Sequence, residues 1–182
     1  KIINACLFVF SVLLVSVLSS CDISRNIELS KGELNMPDEI ADSLEVVTVM
    51  GEKIDSKMWA VHLERFYDRK ITIMESVYTE TYETDGRLKY SLKCNKAEID
   101  ETKNILTATG NVIITSESGV LKTEKLIWDQ NTDELFTNVQ FTLIRGDNLL
   151  KGEYLRTDMN FEKIDMQKVK GEGLLNAEEI EW

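Results

Sequence analysis

Residues 104–115 read NILTATGNVIIT, and residues 119–135 continue as GVLKTEKLIWDQNTDEL. In the first stretch Leu106, Ala108, Val112 and Ile114 share one parity, with Thr107, Thr109, Ile113 and Thr115 on the other. Apolar side chains at every second position mark a strand with one buried face. Gly110-Asn111 breaks the stretch without changing that parity, which suits either a turn or a bulge inside one strand. In the second stretch Leu126 and Trp128 alternate with Lys125, Ile127 and Asp129 before a turn at Asn131-Thr132-Asp133. Val, Ile, Thr and Trp are residues that fit a pleated, half-buried surface.

The same period extends outward in both directions. Upstream, Val47 and Val49, then Trp59, Val61 and Leu63, then Leu88, Tyr90 and Leu92 alternate with polar neighbours. Downstream, Val139, Phe141 and Leu143 keep one parity. Asp85-Gly86, Ser118-Gly119, Arg145-Gly146-Asp147-Asn148 and Asp158-Met159-Asn160 supply turns between short runs. Such spacing predicts many short antiparallel strands in an all-β domain from Leu44 to Trp182. Strand–turn–strand units recur as NILTATGNVIIT, FTNVQFTLIRGDNLLKGEYL and RTDMNFEKIDMQKVKGEG, a degenerate repeat that buries a continuous interior when stacked. Two short helices, over Ala97–Asn104 and around Pro37–Leu44, are the only helical expectations past the N-terminus.

The N-terminal end has a different composition. Ile2 to Leu18 is apolar except for Asn4, Ser11 and Ser16, with Lys1 before it and Leu18-Ser19-Ser20-Cys21 after it. A cation, an apolar run and small residues form the layout of an export signal. The ending at Cys21 resembles a bacterial lipobox, in which the cysteine thiol takes the lipid. The run is also about long enough to span a bilayer, so a retained helix stays open. The reading adopted is a signal at 1–20, a lipid-anchored polar tether at 21–43 and a β-domain at 44–182. Of three cysteines, Cys6 falls in the signal, Cys21 is the anchor and Cys94 remains as a buried, inert thiol.

Charge and motifs exclude several functions. Lys+Arg is 21 against Asp+Glu 32, a net charge of -11. An acidic chain without a basic motif does not suit nucleic acid. No metal-ligand spacing, phosphate loop or nucleophile motif is present, so no cofactor, metal or catalytic residue is expected. His62 is the only histidine. It sits in a strand-like run. Asp129, Asp133, Glu134, Asp147 and Asp158 lie near turns, where Asp suits the backbone. The chain reads as a non-enzyme.

The stretch from Lys96-Ala97-Glu98-Ile99-Asp100, through Ala108-Thr109-Gly110-Asn111-Val112 and Leu126-Ile127-Trp128-Asp129, to Gly152-Glu153-Tyr154, Asp158, Phe161 and Val169-Lys170-Gly171 resembles the LptC family, relatives of the OstA-type LptA periplasmic domains. The resemblance covers about half the chain. It implies an antiparallel β-jellyroll folded like a taco, with an apolar groove. It implies lipopolysaccharide as ligand, inner-membrane transporter subunits as donor, and an LptA-like bridge as acceptor, joined by edge-strand pairing. It places the protein at the periplasmic side of the inner membrane, here on a lipid anchor. Groove candidates are Val112, Ile114, Leu126, Trp128, Val139, Phe141 and Leu143. Lys122, Lys125, Lys151, Arg156 and Lys163 are candidates for a cationic rim. The alternative is a lipid-anchored β-domain used only for protein contacts, as in an adhesin-like lipoprotein.

Overall fold

The structure is a computed structural model that describes residues 36–172. The apolar run, Cys21, most of the tether and the tail after residue 172 lie outside the described residues. The alternation predicted from sequence becomes twelve strands. They are β1 (Glu39–Met50), β2 (Lys53–Phe66), β3 (Ile71–Tyr82), β4 (Leu88–Asp100), β5 (Ile105–Ser116), β6 (Gly119–Asp129), β7 (Glu134–Thr137), β8 (Phe141–Arg145), β9 (Asn148–Gly152), β10 (Tyr154–Asp158), β11 (Ile164–Gln167) and β12 (Lys170–Glu172). No helix occurs among the described residues. β1 to β6 form a meander in chain order, antiparallel throughout.

Beyond β6 the sheet divides. Residues Val120–Thr123 of β6 pair with β8, and Ile127–Asp129 pair with β7. β8 continues to β9 and β12. β7 continues to β10 and β11. Two leaves therefore share the long strands and part at their middles.

A line of backbone irregularities marks where they part. Ser43 in β1 and Ser76 in β3 have φ of 54° and 52°. Regular pairing between β4 and β5 stops at Lys93 and resumes at Lys96. In β5, Gly110 and Asn111 lie between Thr109, paired with Lys125, and Val112, paired with Thr123, so two residues face Glu124 alone. Gly110 (φ 75°) and Asn111 (φ 49°) both adopt the left-handed conformation. Glycine does so freely and asparagine more readily than most residues. Gly110 also lacks room for a side chain, since a Cβ there would lie 2.8 Å from Asn95 Nδ2. The Asn111 N–H freed by the bulge donates to Glu124 Oε2 at 3.3 Å. Bulges bend and twist a strand. Aligned across neighbouring strands, these irregularities crease the sheet so that its leaves face each other.

The core lies between the leaves. On one leaf the cross-strand row Val46–Met58–Thr79–Leu92–Ile114–Leu121–Leu143–Leu150 runs over β1 to β6, β8 and β9. On the other, Ala41–Leu63–Met74–Ala97–Ala108–Leu126 runs over β1 to β6, and Thr137–Leu155–Met166 over β7, β10 and β11. Members of both rows join one buried cluster. Burial of each large aliphatic side chain contributes about 1.5–3 kcal/mol, which makes this packing the main stabilising term.

Three local expectations are corrected. β1 begins at Glu39, so Glu39–Ser43 belong to the sheet and not to a tether or a short helix; Glu39–Asp42 pair with Arg65 back to His62. The left-handed conformation of Ser43 changes the side-chain phase there and hides that segment in the sequence. Ala97–Asn104 is not helical: Ala97 is wholly buried between Met74 and Ala108, and β4 runs on to Asp100. Asp100 Oδ1 then caps the turn by accepting the N–H groups of Thr102 and Lys103, each at 3.1 Å. Val139 is outside any strand, because the chain crosses from leaf to leaf between β7 and β8.

Candidate functional site

The space between the leaves is the feature most suited to a ligand. Of the groove candidates, Val112, Ile114, Leu126, Phe141 and Leu143 are buried in the interior. Trp128 and Val139 are half-buried. Ile114 and Leu143 share one inner row, while Val112 and Phe141 sit next to it, opposite Thr123 and Gly152. Leu126 and Trp128 belong to the facing leaf. In the structure as it stands, the five buried residues are packed against protein.

The row is graded along its length. Val46 is 42% exposed, Met58 and Thr79 are half-buried, Leu92 to Leu143 are buried, and Leu150 is half-buried again. On the facing leaf Ala41 and Met166 are half-buried at the two ends. Apolar surface thus reaches solvent at both edges of the sheet and continues between them without a charged residue. The groove candidates read from the sequence leave out Met58, Leu92, Leu121 and Leu150. Leu92 and Leu121 carried a usable signal, since each alternates with Lys93 or Lys122.

Opposite the crease, two rings close the gap between the leaves. Tyr90 projects from one leaf and Trp128 from the other, edge to face, with centroids 6.2 Å apart. Trp128 Nε1–H donates to Asp133 Oδ1 at 3.1 Å, which fixes the indole at the mouth. Burial, above all, raises the Tyr90 phenol pKa above the ordinary tyrosine value. Near the crease Thr123 Oγ1 donates to the Gln140 carbonyl at 2.9 Å and lies 3.3 Å from Thr137 Oγ1. These bonds satisfy two buried hydroxyls that would otherwise weaken the core.

The polar residues singled out from sequence do structural work. His62 Nδ1–H donates to Asp42 Oδ1 at 2.6 Å and its Nε2 lies 3.5 Å from Glu64 Oε1, on the outer face of β1 and β2. The bond to Asp42, followed by that to Glu64, raises the His62 pKa. Asp129 Oδ1 accepts the Asn131 N–H, and Asp158 Oδ1 accepts those of Asn160 and Glu162. These carboxylates shape turns. Cys94 is buried, and burial pushes its thiol up to about 11. Among the described residues no group of His, Cys, Asp and Glu could hold a metal.

Among the described residues both edges of the sheet are unpaired. β1 offers twelve residues of edge backbone with exposed Val46, Val47, Val49 and Met50. β11 and β12 offer four and three at the other edge. An unpaired apolar edge is a template for strand addition.

Comparison with known proteins agrees with this architecture. Among curated proteins none matches the sequence. The crystal structure of LptH from Pseudomonas aeruginosa, described as the LptA homologous periplasmic component of the conserved lipopolysaccharide transport device, superposes with a TM-score of 0.53. It is 13% identical, over 64% of this chain and 93% of that one, and so shows a shared fold, the β-jellyroll. A family model described as lipopolysaccharide-assembly, LptC-related, matches residues 5–172. The chain belongs to the LptC-related family of lipopolysaccharide assembly.

Proposed function

We propose that the protein receives lipopolysaccharide from an inner-membrane transporter, shelters its acyl chains between the two leaves, and passes it to a periplasmic bridge protein. The observation that carries this reading is the uncharged apolar row from Val46 to Leu150, open at both edges and buried between. An acyl chain of about a dozen carbons costs on the order of 10 kcal/mol to expose to water, at about 0.8 kcal/mol per CH₂. A carrier must supply comparable apolar surface, and the two facing rows can. The interior is filled in this structure, so loading requires the leaves to part. The crease supplies a line of weakened pairing about which they can open, and the Tyr90–Trp128 contact is the clasp to be broken. The edges β1 and β11–β12 serve as docking strands for donor and acceptor by strand addition. In this reading the domain is held at the periplasmic side of the inner membrane, with Cys21 as its lipid anchor.

The test is a charge placed in the row where it enters solvent. The full chain is purified in neutral detergent and its bound lipopolysaccharide is quantified by mass spectrometry. Met58→Glu is expected to lose bound lipid at least tenfold while remaining folded. Val61→Glu, at a position 58% exposed, is expected to match the parent. Equal lipid in both variants and the parent would contradict the carrier role and favour a domain used only for protein contacts.

A further inference from the structure

We infer that the outer face carries a second site, a lysine-rimmed cavity that takes a phosphate-bearing anion. The inner row on this leaf has an outward counterpart one residue away on each strand. It runs Glu45–Trp59–Tyr78–Lys93–Ile113–Lys122–Thr142–Lys151–Lys170 over β1 to β6, β8, β9 and β12. Its last four strands bring Lys122, Lys151 and Lys170 into one line about 14 Å long, at roughly 4.8 Å per strand. All three are exposed. In a chain with 32 acidic and 21 basic side chains, none of the three forms an ion pair among the described residues.

The pairing is unfavourable as it stands. Lys151 and Lys170 are direct cross-strand partners, and like charges in that position repel. A bound anion removes the repulsion. The lysines also surround a space. A cavity of about 680 Å³ is lined by Lys122, Lys151, Lys168 and Lys170, with Phe141 and Leu149 contributing apolar surface. That volume falls in the usual range for a small-molecule site. Its two carboxylates are already engaged: Glu153 is bound by Lys168, and Glu124 accepts the Asn111 N–H. Ammonium groups are strong point-charge donors to phosphate oxygens. Cationic rim and apolar lining together fit a phosphate ester on a partly apolar body. Lys122, Lys151 and Lys170 lie one residue out of phase with the inner row, and the proposal does not depend on the carrier reading.

The experiment measures binding to the full chain in neutral detergent by isothermal titration calorimetry. The probes are dioctanoylphosphatidate, dioctanoylglycerol and glycerol 3-phosphate. Dioctanoylphosphatidate is expected to bind, with dioctanoylglycerol at least tenfold weaker. Replacing Lys122, Lys151 and Lys170 together by Gln is expected to weaken phosphatidate at least tenfold. The same replacement at Lys70, Lys96 and Lys103, all exposed and outside the cavity, removes equal charge and is expected to stay within twofold of the parent. Glycerol 3-phosphate binding alongside phosphatidate identifies phosphate alone as sufficient, whatever its source; binding of phosphatidate alone identifies a lipid source. The proposal is overturned if dioctanoylglycerol binds as well as phosphatidate, if neither phosphate probe binds, or if the two triple variants weaken equally.

Discussion

Gly152 sits where a side chain has no room, and the cost of adding one can be worked out from its neighbours. It pairs across β8 and β9 with Phe141. A Cβ at Gly152 would lie 2.6 Å from Phe141 Cε1, 2.8 Å from Cζ and 3.0 Å from the Gln167 carbonyl oxygen. Its φ is not left-handed, so backbone strain contributes nothing and the conflict is one of space. The Phe141 ring is 3% exposed, and it has to move for a Cβ to fit. Overpacking of this kind costs about 1–3 kcal/mol. For a domain of this size each kcal/mol lowers the midpoint by about 4 °C. Gly152→Ala is therefore expected to lower Tm by about 4–12 °C. Urea unfolding followed by tryptophan fluorescence gives the free energy. Phe141→Leu in the same background removes the ring edge and is expected to recover about 0.5–3 kcal/mol as a coupling term. A Gly152→Ala variant within about 0.5 kcal/mol of the parent, the scatter of neutral surface changes, would refute the reasoning. So would a penalty unchanged by Phe141→Leu.

Further outcomes follow from other parts of the domain. Leu143→Ala, at a position with no exposure in the centre of the inner row, is expected to cost about 2–5 kcal/mol in urea unfolding, as for buried leucines elsewhere. Cys94, buried and with its thiol pushed up to about 11, is expected to resist alkylation at pH 8 in the folded chain and to react fully in urea, read by peptide mapping that separates it from Cys6 and Cys21. His62 is raised above its ordinary 6.5 by Asp42 and Glu64, with Glu75 facing it from β3, so its stabilising effect is complete below that value. The effect is lost as pH rises through the folded pKa. Thermal midpoints of the parent and His62→Gln are therefore expected to differ most near pH 5.5 and to converge by pH 8.5; a gap that grows with pH would contradict the assignment.

Much of this fold can be read from period-two patterning, and the places where reading fails are physical. In β5 the parity of Leu106, Ala108, Val112 and Ile114 survives the Gly110-Asn111 bulge, and all four are buried. In β6 the buried set is Leu121, Thr123 and Leu126, so parity flips opposite that bulge. A single phase fitted to β6 therefore finds Leu126 and loses Leu121. β4 flips in the same way between Cys94 and Ala97. Once the phase changes inside a strand, every later side chain exchanges faces. The first part of β1, Glu39–Ser43, was hidden because the left-handed Ser43 changes the side-chain phase between it and the Val47–Val49 stretch. The rim lysines divide for a reason that sequence does not carry. Lys122 and Lys151 share a row only because β8 lies between β6 and β9, whereas Arg156, on β10, belongs to the other leaf. Leaf membership is set by the branching of β6, a long-range fact without a local signature.

The most direct test of the carrier reading places a photo-crosslinking residue at Ile114, inside the inner row, and at Leu150, where the row reaches solvent again. Lys89, which points outward beside Glu83, is the control. Adducts formed in live cells are probed for lipopolysaccharide. Adducts at Ile114 and Leu150 but not at Lys89 are the predicted result. Folded protein that captures lipopolysaccharide at none of the three, or equally at all three, would contradict passage between the leaves.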